Sequence, residues 1–316
     1  MMAPMTPPPR RATRLITAVA GLAMLVGGCS WRVETPPIPS RTPTPAVVLR
    51  DAAAEREQAV LDAAGSTELG ALEAALAPER LEALGGVYVE YPSASSSPSP
   101  DASAAPDLET LVPQVVADSV AAALEASDDD PGLAAMLRSI ALSHAMADVA
   151  ASPYSDSPAE HQLPGTDRGG EWLPDSGTEV DRDVIARLAL AHDQAAFAYE
   201  VAAARASEEE RADALTRARI HAARAEALVA LPGVEDLREP LYDVAPVDTA
   251  SETGRAAMEV SIELALSEAY AALIDGAADA DVTWILDAAF DAFAAAAALP
   301  GFDASSVQAL PGLTTS

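Results

Sequence analysis

The chain contains no lysine: all 19 of its basic residues are arginine, against 49 aspartates and glutamates, for a formal charge of −30. Nucleic-acid partners are excluded on that ground, because phosphate recognition needs clustered Lys or Arg. The same charge gives no direct attraction to anionic lipid heads and keeps like chains apart in solution. Aromatic residues make up only 4% of 316 residues, although 50% are hydrophobic, with alanine the commonest. Such a chain builds tightly packed helices and few large sheets. There is no Gly-rich phosphate loop, no Gly-x-Ser-x-Gly elbow and no His-Glu-x-x-His, which removes the usual signatures of nucleotide, acyl-transfer and zinc-protease chemistry. Cysteine occurs once, at Cys29, so no disulfide can form within the chain.

That single cysteine follows a three-part leader. Arg10, Arg11 and Arg14 give a positive start, residues 15–26 (LITAVAGLAMLV) an apolar core, and Gly27–Gly28 a pair of small residues. The order is that of a secretory signal. The core is shorter than the ~20 apolar residues a bilayer-spanning helix needs. Residues 25–30, LVGGCS, resemble the cleavage box of a bacterial lipoprotein signal, with Val26 where leucine is commonest and Leu25 one place earlier. The resemblance implies removal of residues 1–28, a diacylglyceryl group on the Cys29 sulfur and usually an acyl group, such as palmitate, on its new amine. Two or three acyl chains make a stable anchor where one is marginal. The expected address is the extracytoplasmic face of the cell membrane, with the membrane as the first partner.

Residues 29–45, rich in proline, read as an extended tether, reaching at most roughly 3 Å per residue. A first helical section covers 46–152, with helices over 46–64, 66–84 and 108–126, the last containing Pro113. Gly85–Gly86 reads as a stop, and the Ser- and Pro-rich stretch 92–106 as a low-complexity loop. Asp130 is a natural N-cap with Pro131 at the first helical position. In the helix that follows, His144 falls on the stripe of Leu133, Leu137 and Ile140, as a hydrogen-bonded core residue rather than a ligand. Residues 153–180 form a linker, in which His161 has no metal-ligand neighbours.

From residue 181 the pattern becomes four consecutive amphipathic helices. Ile185, Leu188, His192, Ala195, Ala196 and Tyr199 share one face of the first. Ser207 and Glu210 form a capping box for the second, which stops at Pro232–Gly233. The third spans 251–274 and the fourth 281–299. Short, long and short connections suit a four-helix bundle. The stretches ALAHDQAAFAYEVAAAR, ARIHAARAEAL and SIELALSEAYAALI, with the terminal PGL, resemble the ferritin-like domain of actinobacterial lipoproteins, a family without assigned activity. The resemblance covers roughly 181–313 and implies a ferritin-like bundle there; with the further helical section and disordered linkers read before it, the expected fold is all-α.

Ferritin-like oxidases hold two metals with a Glu from each of two helices and Glu-x-x-His from each of the others. No Glu-x-x-His occurs over 181–313. His221 and Glu226 are five apart, roughly 140° around a helix, so both cannot face inward. His192, His221, Glu200 and Glu263 are the weak metal candidates, and a nonstandard site of His144, His192 or His221 with a carboxylate is the remaining form. Glu259, Glu263, Asp287 and Asp291 read as solvated faces of an acidic protein. The expected function is a noncatalytic binding or structural module of the cell envelope, with an envelope protein or small ligand as partner. The alternative is a metal-binding protein or oxidoreductase with a reduced ferritin-type site using iron or another transition metal.

Overall fold

A computed structural model describes residues 42–88, 107–154, 163, 173–242 and 249–313. The leader 1–28, Cys29, the tether up to residue 41, the 92–106 loop, His161 and most of the 153–180 linker lie outside the described residues.

The described residues are all-helical, with eight α-helices and no strand. They are α1 (Pro45–Ala63), α2 (Glu68–Leu84), α3 (Leu108–Ala126), α4 (Pro131–Ala151), α5 (Arg182–Ala203), α6 (Glu208–Val229), α7 (Glu252–Ala271) and α8 (Asp279–Ala297). Most starts have a local cause. The Thr67, Asp107, Asp130 and Ser251 side chains accept backbone N–H bonds from Gly70, Thr110, Leu133 and Gly254, satisfying donors that the helix itself cannot. At α6 the Glu210 carboxylate accepts from the Ser207 N–H at 3.2 Å, as the capping box requires. Gly85 ends α2 in the left-handed region at φ 87°, and the Gly86 N–H returns to the Leu81 carbonyl at 2.8 Å.

Two ends differ from the sequence expectation. α7 stops at Ala271, because the Ile274 N–H bonds the Ala271 carbonyl in a tight turn and does not continue the helix. α8 begins two residues before Asp281, which is buried in its first turn. There Asp281 accepts from the Glu179 N–H and the Trp284 indole N–H, so its carboxylate ties the segment before α5 to α8.

α1 packs on α2 and α3, α4 on α2 and α3, and thus four helices enclose one interior. α5 packs on α6 and α7, and α7 on α8; Arg217 and Arg224 of α6 reach Asp291 of α8. α4 also packs on α8, and the apolar core runs on from Leu142 and Met146 through Ile185, Leu228, Tyr270 and Leu286 to Phe293. Thr44–Ser316 is accordingly one compact unit, with the N-terminal helices sharing the core of the C-terminal four. α4 is long and apolar enough to cross a membrane, but 83% of its apolar window is buried inside the protein, as a central core helix must be.

The C-terminal segment closes over this junction. Ser139 and Ser143 of α4 donate to the carbonyls of Pro311 (2.8 Å) and Gln308 (2.6 Å). Gly312 sits at φ 82°, and a Cβ there would run into the Ala271 carbonyl. Gly312→Ala is therefore expected to lower the unfolding free energy by about 1–3 kcal/mol, from left-handed strain plus the clash. Urea unfolding measures it, and an unchanged midpoint would mean that the segment does not dock.

Candidate functional site

α5 through α8 meet around a buried polar chain. His192 and Tyr199, seven apart, lie on one face of α5, and Glu263 and Tyr270 repeat that spacing on α7. Arg217, His221 and Arg224 fall at intervals of four and three on α6, so all three point the same way. His192, His221 and Glu263 are completely buried. The Tyr270 hydroxyl lies 2.6 Å from His192 Nε2, His192 Nδ1 2.9 Å from His221 Nδ1, and His221 Nε2 3.0 Å from Glu263 Oε1. Tyr199 donates to the same Oε1 at 2.8 Å, and Arg217 clamps both carboxylate oxygens at 2.5 and 2.6 Å.

One proton arrangement satisfies every atom. An ionised Glu263 only accepts, so His221 Nε2 donates to it. His221 Nδ1 then accepts from His192 Nδ1–H, which leaves His192 Nε2 to accept from Tyr270. The tautomers are assigned from the network. Electrostatics agree. Burial alone raises the Glu263 pKa, but hydrogen bonds from Arg217 and His221 outweigh it and hold the value at about 2. Burial pushes His192 well below the usual histidine range, with the charges of His221 and Arg224 adding to it. Burial also lowers His221 against the opposing pull of Glu263. Both imidazoles are neutral at pH 7. Tyr199 is raised by burial and by Glu263, and Tyr270 by burial, so both phenols keep their protons.

A second quartet fills the interior of α1–α4. Glu57 comes from α1, Glu73 and Arg80 from one face of α2, and His144 from α4; none is more than 1% exposed. His144 Nε2 is 2.7 Å from Glu57 and Nδ1 2.9 Å from Glu73. Donation from both ring nitrogens requires the imidazolium. Burial and Arg80 lower the His144 pKa, but Glu73 and Glu57 overcome them and raise it. Arg80 Nη1 bonds Glu73 at 2.8 Å and Glu57 at 3.3 Å. Burial alone would raise Glu73, yet the charges of His144 and Arg80 hold it at about 2. Two cations and two anions thus cancel in a sealed space. Among the described residues, Arg80 Nε and Nη2 have no hydrogen-bond partner.

Of the four weak metal candidates, His192, His221 and Glu263 come together and Glu200 does not, since it is exposed on the outer face of α5. The reading of Glu263, Glu259 and Asp287 as solvated faces is overturned: they are 0%, 8% and 1% exposed. Arginine is the physical reason at Glu263, because Arg217 supplies the charge that lets a carboxylate leave water. Asp291 alone keeps partial contact with solvent while it holds Arg224 at 2.8 Å. His144 is a hydrogen-bonded core residue, as its stripe position implied. Sequence reading missed Glu57, Glu73, Arg80, Arg217 and Tyr270. The available signal was heptad spacing of polar groups, Glu73 to Arg80 and Glu263 to Tyr270.

A ferritin-type dinuclear centre does not fit these residues. Glu263 accepts from Tyr199, Arg217 and His221, and each imidazole nitrogen of the C-terminal pair already faces a protein partner. No set of lone pairs converges on a common point. Among the described residues no group of three or more His, Cys, Asp or Glu could hold a metal ion. Neither the known protein families, nor curated proteins, nor solved structures yield a match to this chain.

Proposed function

We propose that the chain is a lipid-anchored, extracytoplasmic module of the cell envelope that acts by binding, with α5–α8 as a ferritin-like four-helix bundle over 181–313. The observation that carries the noncatalytic reading is the closed state of Glu263: both of its oxygens are engaged by Arg217, and His221 and Tyr199 bond it as well. A carboxylate so neutralised positions helices and is not presented to a substrate. The anchor rests on LVGGCS and the leader before it.

Expressed in a bacterium that processes lipoproteins, the full chain is expected in the membrane fraction, carrying label from radioactive palmitate. Cys29→Ser should move it out of that fraction and abolish labelling. An unchanged membrane fraction overturns the anchor. Metal analysis of purified residues 30–316 tests the other half: stoichiometric Fe, Mn, Zn or Cu would overturn the noncatalytic reading.

A further inference from the structure

At one end of α5–α8 a cavity of about 580 Å³ opens between the last turn of α5, the starts of α6 and α7 and the end of α8. That volume is in the range of small-molecule sites. Glu209, Asp213 and Glu252 stand at its exposed rim, and Glu259 lies deeper. Glu259 is only 8% exposed, lines the cavity, and receives no hydrogen bond or ion pair from the described residues. A buried, unmatched carboxylate is costly to the fold, which makes it informative.

The two cations at the cavity are already engaged. Arg255 donates to Glu210 at 2.8 and 3.0 Å and to the carbonyls of Thr249 and Ala250. Arg217 clamps Glu263. The positive ends of α6 and α7 are offset by Glu208, Glu209, Glu210 and Glu252 in their first turns. The space therefore favours a positive guest. A divalent metal would need several convergent oxygens, whereas Glu259 offers one carboxylate facing a wall that includes Leu299 and Pro300.

We propose that this cavity binds an aliphatic di- or polyamine, with one ammonium group paired to Glu259, the methylene chain along Leu299 and a second ammonium at the acidic rim. The inference rests on the reading of the chain as a binding module and names its ligand class. Binding is linked to protons. Burial pushes Glu259 up to about 7, with Glu210 and Glu263 adding and Arg255 opposing. Tyr199 and Arg217, also at the cavity, keep their charge states across neutral pH. Affinity for a permanently charged amine should thus fall from pH 8 to pH 6.

The test is calorimetric titration of the full chain with 1,4-diaminobutane and spermidine at about 0.15 M salt, which suppresses diffuse attraction to the acidic surface. One amine per chain is expected. Glu259→Gln should weaken binding by about tenfold or more, and the exposed Glu200→Gln by less than about twofold. No saturable binding, equal losses in both variants, or binding of inorganic phosphate at this cavity would each overturn the proposal. A chain that reaches the membrane through Cys29 but takes no amine defeats this inference alone; the reverse result defeats only the anchor.

Discussion

Replacing Arg80 by leucine is expected to lower the unfolding free energy by about 3–5 kcal/mol, the range seen when one partner of a buried ion pair is removed. The variant leaves Glu57 and Glu73 sharing only His144 in a space closed to water. Two like charges with one counter-charge must then take up a proton or separate. Adding Glu73→Gln to Arg80→Leu should restore part of the loss, because it removes the surplus negative charge. A loss below about 1 kcal/mol for the single variant, measured by urea unfolding at pH 7, would mean that the quartet is not assembled.

The quartet also bounds a stability window in pH. Glu73 has a folded pKa of about 2, so its contribution is present above the unfolded value near ~4.3 and is lost as pH falls toward 2. His144 is raised, so its contribution is full below the unfolded value near ~6.5 and is lost as pH rises through the folded one. Arg80→Leu should weaken the acid-side dependence, because Arg80 helps to hold Glu73 down, and strengthen the alkaline-side one, because Arg80 opposes the rise of His144.

Helices were legible because their causes are local. Asp130 with Pro131, Ser207 with Glu210 and the Gly85–Gly86 stop each act within one turn, and the structure uses them where the sequence places them. The interior was less legible, because its logic runs between helices. Nothing near Glu57 in sequence says that Arg80, 23 positions away, will neutralise it. Acidic composition favoured solvent for Glu259 and Glu263, but Arg217 lets Glu263 leave water, and Glu259 is buried without such a partner among the described residues. His192 was placed correctly on its apolar stripe. Its partner His221, 29 positions on, depends on the α5–α6 pairing, which only the assembled helices provide. The Arg217 clamp on Glu263, 46 positions apart, was not legible for the same reason.

Glu263→Gln tests that clamp. The substitution keeps the side chain's shape but turns one acceptor oxygen into a donating amide. Three groups now bring hydrogens to the carboxylate: Tyr199, Arg217 and His221. With glutamine, one face of the Arg217 guanidinium meets N–H against N–H, and a largely buried cation loses its nearer counter-charge, keeping only Asp291 at 3.5 Å. A loss of about 3–5 kcal/mol at pH 7 is expected. The penalty should shrink as pH falls, since Glu263 with its pKa of about 2 contributes stability above ~4.3 and loses it on the way to 2. His192 and His221 add an earlier slope in the native protein. Both have lowered folded pKa values, so below pH ~6.5 the unfolded chain binds protons first and stability falls. Nitrogen NMR supplies a readout that a generic packing defect would not move. In the native protein His192 should carry its proton on Nδ1 and His221 on Nε2, and loss of the carboxylate should release His221 from that tautomer. A variant of native stability with unchanged tautomers would show that Glu263 does not set the direction of the chain from Tyr270 to Arg217.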